Sequence, residues 1–135
     1  MILGLGTDLA DGRRIADTLE RHGARFTQRV FTAAEQDRCD ARADRAAAYT
    51  RVFAAKEACA KALGTGVGQY GVRWRDMAVT REPAGRPTMH LDGAAARCLD
   101  GLVPPEHASA IHLSISDEPP LAQAVVILEA VPVTA

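Results

Sequence analysis

The sequence predicts a single α+β domain, and three observations carry that prediction. Residues 2–9 read as a strand with glycine at alternate positions, Gly4 and Gly6. An alanine-rich stretch over about 44–63 reads as one long helix. Two strand–turn–strand patterns, at 72–91 and 111–129, read as hairpins. Strands and helices in that order, without a strict βαβ alternation, give an α+β pattern.

The first strand carries Gly4 and Gly6 on one face and Leu3 and Leu5 on the other. Glycine at alternate positions lets another backbone or a ligand approach closely. Asp8 is expected where this strand gives way to a helix, either as a ligand or as an ordinary helix cap. Residues 13–29 follow as a helix, with Ile15, Leu19, Phe26 and Val30 on a roughly helical period. This segment is rich in arginine, and Arg14, Arg21 and Arg25 fall near one face. Such a face is either simply solvated or a docking surface for an acidic partner. Thr32 and Glu35 fit a capping box that starts a short helix through about Cys39. Residues 37–45 alternate acid and base and read as exposed.

After the long helix, the hairpin at 72–91 places Trp74 within its first strand and turns at 82–87 through Pro and Gly. A short helix over 93–102 stops at Pro104-Pro105. Ile111, Leu113 and Ile115 alternate with His112, Ser114 and Ser116, the mark of a strand with one buried face. A turn at 117–120 leads to the last strand, 121–129, and the domain is expected over 1–130 with a loosely held tail at 131–135.

Composition narrows the function. At 135 residues the chain can bury a real core, built from Leu, Ile, Val and Ala, since aromatics are only 4%. A net charge of −1 argues against a general nucleic-acid binder. The three cysteines, Cys39, Cys59 and Cys98, are odd in number and widely spaced, so neither a disulfide framework nor a zinc site is indicated. A reducing, cytoplasmic setting is the simplest expectation, with no membrane span or leader.

The most informative stretch is Phe53-Ala54-Ala55-Lys56-Glu57-Ala58-Cys59-Ala60-Lys61-Ala62-Leu63-Gly64-Thr65-Gly66. Phe53, Glu57 and Lys61 are four apart and share one helical face, so a metal-binding carboxylate and a phosphate-binding ammonium can project side by side. Gly64 suits the left-handed position that ends a helix. On the helix alone, Glu57 and Lys61 would serve equally as an i,i+4 surface pair.

Five separated stretches decide. Leu3-Gly4-Leu5-Gly6-Thr7-Asp8 resembles the opening (I/L)G(I/L)GxD of the holo-acyl-carrier-protein synthases. Arg25-Phe26-x-x-Arg29-Val30-Phe31-Thr32-x-x-Glu35 resembles their RFxxRxFTxxE. Residues 53–66 resemble FAAKExxxKAxGTG, the signature of phosphopantetheinyl transferases. Gly85-Arg86-Pro87 and Ile111-His112-Leu113-Ser114-Ile115-Ser116 are similar to the GKP and IHVSIS segments.

The resemblance implies a 4′-phosphopantetheinyl transferase-like fold, an antiparallel sheet with one long helix. It implies transfer of the 4′-phosphopantetheine arm from coenzyme A to a serine hydroxyl of an apo acyl carrier protein of fatty-acid or polyketide synthesis, releasing 3′,5′-ADP. It further implies Mg²⁺ held by Asp8 and Glu57, with Lys61 on a phosphate. Coenzyme A would be lined by Lys61, Gly64, Thr65, Gly66, Arg86, Pro87, His112 and Ser114. An acidic carrier helix would dock on Arg13, Arg14, Arg21, Arg25 and Phe26. Trimers with active sites between subunits complete the expectation. The proton acceptor for the serine stays open between Glu57 and a water held by the metal.

Two positions depart from the family pattern. Val52 stands where many members carry Arg, with Arg51 one residue earlier, and Asp117 stands where many carry His. Two other readings are weaker. Cys59 with His112 as a nucleophile and base lacks any sign of an activated thiolate. A non-catalytic carrier- or nucleotide-binding protein of the same fold would be expected to lose Asp8, Glu57 or Lys61, and all are present.

Overall fold

The computed structural model describes residues 1–134. Strand β1 (Ile2–Asp11) leads into helices α1 (Gly12–His22), α2 (Ala24–Val30), α3 (Ala33–Asp40) and α4 (Arg45–Leu63). Then come β2 (Met77–Arg81), β3 (Pro87–Leu91), α5 (Gly93–Leu102), β4 (His107–Glu118) and β5 (Leu121–Pro132). One antiparallel sheet has the order β1-β5-β4, and β2 and β3 form a separate two-stranded hairpin. The α+β expectation, with one long helix on an antiparallel sheet, holds.

The glycines of β1 explain how α4 sits. A Cβ added to Gly4 would lie 2.0 Å from the carbonyl oxygen of Ala62, and one on Gly6 1.8 Å from that of Ala58. The strand and helix backbones therefore lie closer than any side chain on β1 would allow. Alanine on α4 is the matching choice: Ala54, Ala55 and Ala58 are fully buried. Around this contact Val126 and Leu128 of β5 are also fully buried, each worth roughly 1.5–3 kcal/mol of burial. Ile111, Leu113 and Ile115 pack on the same core, as their alternation predicts.

Four expectations need correction. The helix expected over 13–29 breaks at Gly23 (φ 50°), whose N–H closes α1 on the Leu19 carbonyl, so the arginines lie on two helices. Strand β1 runs three residues past Asp8. Asp11 is the cap of α1, its carboxylate accepting from the Arg13 N–H at 2.9 Å. Trp74 sits in a 3₁₀ turn (Trp74–Asp76) that precedes β2. Finally, β5 continues through Pro132, and the Val133 N–H bonds the Glu106 carbonyl. The expected tail therefore begins as strand; its last residue, Ala135, lies outside the described residues.

Thr32 and Glu35 form the expected capping box. Glu35 does more than cap. It is fully buried and paired at 2.8 Å with the fully buried Lys56 of α4.

Candidate functional site

Asp8 and Glu57 line one cleft of about 420 Å³, walled by Leu9, Arg14, Ile15, Thr18 and Phe53. Strand β1 delivers Asp8 and α4 delivers Glu57. The same glycine–alanine contact that packs the two elements brings their carboxylates together. Burial raises the Glu57 carboxyl above its ordinary range, the Asp8 charge adds to that, and Lys61 opposes it. A carboxylate whose charge is disfavoured by burial and by a neighbouring carboxylate, as at Glu57, gains from a bound cation.

Lys61 does not line this cleft but reaches Asp8, which does. Its ammonium donates to the Thr7 carbonyl at 3.0 Å and to Asp8 at 3.2 Å. It thus pairs across to the strand, and not back to Glu57 as an i,i+4 surface pair would. The side chain is 53% exposed, so the contact is worth well under about 1 kcal/mol and can be exchanged for a better anion. Gly64 ends α4 in the left-handed conformation (φ 79°), as expected, and turns the chain immediately after Lys61.

The donor set suits a hard divalent cation. Asp8 and Glu57 offer carboxylate oxygen, and no cluster of three or more His, Cys, Asp or Glu occurs among the described residues. Magnesium is commonly held by one or two carboxylates, with water and phosphate completing its shell. A structural zinc site would need four protein ligands.

The other predicted residues lie apart. Arg86, Pro87, His112 and Ser114 line a second cleft of about 380 Å³, between the β2–β3 turn and β4. His112 bonds Glu129 at 2.9 Å. Neither Thr65 nor Gly66 lines either cleft. Within one chain, then, the carboxylate cleft and the His112 cleft are separate.

Of the expected docking residues, Arg14, Arg21 and Arg25 are exposed. Arg21 makes an i,i+4 pair with Asp17 at 3.2 Å. Arg13 is held in a fork on Asp11 at 3.0 and 2.8 Å, and these bonds hold the half-buried Asp11 carboxyl down to about 2. Phe26 is half-buried and touches Phe31 and Phe53, so it links the arginine-rich helices to the wall of the carboxylate cleft.

A third cleft was missed in the sequence. Arg38, Arg42, Arg51 and Arg81 line about 520 Å³ of open space next to Gly85 and Ile115. They come from α3, the loop after it, α4 and β2, so no run of charge announced them. The two departures from the family pattern are tied through Arg51, which pairs with Asp117 at 3.0 Å, while Val52 beside it is buried in the core. The guanidinium sits one residue earlier than usual, and Asp117 is its partner.

Cys59 does not fit a nucleophile. It is fully buried, and burial pushes its thiol up to about 12; burial likewise pushes Cys39 up to about 11. At pH 8 iodoacetamide should therefore label only the half-buried Cys98 in the native protein, and all three thiols after unfolding. Peptide mapping reads this; rapid native labelling of Cys59 would reopen the thiol chemistry.

This geometry has known relatives. The family model described as the 4′-phosphopantetheinyl transferase superfamily matches residues 4–117. A holo-[acyl-carrier-protein] synthase of Methylobacterium radiotolerans is 62% identical over 134 residues, 99% of this chain and 98% of that protein. One of Brucella ovis is 59% identical over 133 residues, 98% of each. The crystal structure of holo-[acyl-carrier-protein] synthase from Neisseria meningitidis superposes with a TM-score of 0.83 at 30% identity, covering 96% of this chain and 99% of that one. The Helicobacter pylori enzyme, in complex with coenzyme A, gives 0.77 at 26% identity, covering 93% and 99%. The chain belongs to the 4′-phosphopantetheinyl transferase superfamily, in its holo-[acyl-carrier-protein] synthase branch.

Proposed function

We propose that this chain transfers the 4′-phosphopantetheine arm from coenzyme A to a serine hydroxyl of an apo acyl carrier protein. The observation that carries the reading is that Asp8 and Glu57 line one cleft while Lys61 pairs with Asp8, in a chain of this family. In the reaction, the serine oxygen bonds to the phosphorus that bears the pantetheine arm. The bond from that phosphorus to 3′,5′-ADP breaks, and the serine proton passes to an acceptor.

Asp8 and Glu57 would hold magnesium, which when bound neutralises charge on the pyrophosphate. Lys61 leaves its weak contact with Asp8 and donates to a phosphate oxygen as charge develops there. Glu57, whose raised proton affinity comes from burial and the Asp8 charge, is one candidate to accept the serine proton. Chromatography of 3′,5′-ADP released from coenzyme A in the presence of apo carrier tests the reading. Absence of carrier-dependent product would sink it.

The separation of the two clefts favours a trimer with active sites between subunits. Arg86, Pro87, His112 and Ser114 would then serve the carboxylate cleft of a neighbour, and the arginine cleft beside them adds positive potential for phosphates. The outer face of the sheet supports this. There Leu5 aligns with Ile127 and His112, and Leu5 and Leu9 are each 64% exposed, an apolar surface of the kind that marks contacts. Sedimentation equilibrium should give three times the chain mass for the wild type and a lower mass for Leu5→Arg. A monomeric wild type at micromolar concentration contradicts the trimer.

The exposed Arg14, Arg21 and Arg25 would steer an acidic carrier helix, in a cytoplasmic setting and in lipid synthesis. No described helix is long and apolar enough to cross a membrane. Reversing Arg21 and Arg25 to Glu should raise KM for the carrier about tenfold and leave coenzyme A affinity within about twofold, because rim charges govern encounter. Calorimetry with coenzyme A alone separates the two; equal losses would contradict the docking assignment.

A further inference from the structure

The pair Glu35–Lys56 is fully buried, and every polar atom in it is used. One Glu35 oxygen accepts from the Thr32 N–H and from Lys56, each at 2.8 Å. The other accepts from the Val79 N–H at 2.7 Å. The Lys56 ammonium has three protons. They go to Glu35, to the Trp74 carbonyl at 3.1 Å and to the Met77 carbonyl at 2.5 Å. Nothing remains of Lys56 for a phosphate, although it precedes Glu57 in the signature stretch.

These contacts join four parts of the chain: the start of α3, the middle of α4, the 3₁₀ turn and β2. Two of them lead to the carboxylate cleft. Adjacent residues on a helix are rotated by about 100°, so the anchored direction of Lys56 sets the direction of Glu57. The Trp74 backbone is held by Lys56 while its ring stacks on Phe53 at 5.2 Å, and Phe53 walls the cleft beside Glu57. A third path leads to the other site: Met77 and Val79 lie on β2, whose hairpin turn brings Arg86 and Pro87 to the second cleft. A buried ion pair is poor insurance for stability, since an apolar pair of like volume often serves as well. Its use here lies in orientation.

Resting on the transferase reading above, we infer that Glu35 and Lys56 are positioning residues for the transfer. They fix the rotation of α4 and the seating of the β2–β3 hairpin, so that Glu57 and Lys61 meet the pyrophosphate in one geometry. Neither touches substrate.

The test uses the full-length protein, coenzyme A and an apo carrier, below the unfolding midpoint of each variant. Glu35→Gln/Lys56→Met removes both charges and leaves no unpaired ion. It should unfold cooperatively and bind coenzyme A within about threefold of wild type by calorimetry. Its kcat should fall at least tenfold, with KM for either substrate little changed, because an interaction expressed in the transition state is lost. The fluorescence of Trp74, the only tryptophan, should shift as its backbone is released. Glu35→Asp keeps the charge but shortens the arm by one methylene; it should keep the fold and lose at least threefold in kcat. It decides the matter if the double variant does not fold. A folded double variant with kcat within twofold of wild type, a loss confined to KM, or a fully active Glu35→Asp would overturn the assignment. A wild type that transfers nothing would instead sink the transferase reading itself.

Discussion

Glu57→Gln should lower the transfer rate by roughly 10²–10³-fold while leaving the fold intact, a loss of several kcal/mol of transition-state stabilisation. The side chain is half-buried beside Asp8, where burial and the neighbouring carboxylate both disfavour its charge. Glutamine keeps the shape and removes that charge. The free protein should therefore unfold at the same denaturant concentration as wild type or slightly higher, since a repulsion is relieved. The rate falls for the opposite reason: the charge that is awkward without a cation is what would hold one. This divergence of stability from activity separates a working carboxylate from a structural one. A variant that keeps near-normal rate at limiting Mg²⁺ would remove Glu57 from the metal site.

Gly6→Ala should have the largest effect on folding. The added Cβ would sit 1.8 Å from the Ala58 carbonyl oxygen and 2.7 Å from the Ala62 nitrogen. Both are backbone atoms, so no side chain can swing away to make room. Helix α4 would have to lift off β1, and the buried alanines of α4 and Val126 and Leu128 beneath it would lose contacts. Overpacking typically costs about 1–3 kcal/mol; a clash of backbone on both sides belongs at or above the top of that range. Because the same contact carries Asp8 to Glu57, any folded fraction should be impaired in transfer too. Urea titration of Gly6→Ala measures the first effect, and an unchanged midpoint would contradict the close approach.

Local chemistry made much of this legible. Gly4 and Gly6 declared a close approach, and the structure supplies the helix that approaches. Thr32 and Glu35 declared a cap, and Gly64 a helix end. What could not be read were decisions made by distant partners. Glu35 had a complete local role as the capping acid, so nothing pointed to Lys56 as its partner. Gly23 sat within a tolerable helical period, and only the packing of Ile15 and Leu19 on one side and Thr27 and Val30 on the other shows why the chain turns there. From sequence Asp8 alone stood as the candidate cap; the β1–β5 ladder runs on to pair Asp11 with Leu121, and Asp11 caps α1 instead. The four arginines of the third cleft lie on different elements and converge only in the fold. Arg51 and Asp117, each odd beside the family pattern, became a pair only when α4 met the end of β4.

The measurement that bears most directly on the central claim is the intact mass of an apo acyl carrier protein after incubation with this protein, coenzyme A and Mg²⁺. The account predicts that the carrier gains one phosphopantetheine on its serine with wild type, gains none when that serine is replaced by alanine, and gains almost none with Glu57→Gln. A carrier mass left unchanged by the wild type, across several carriers, would contradict it.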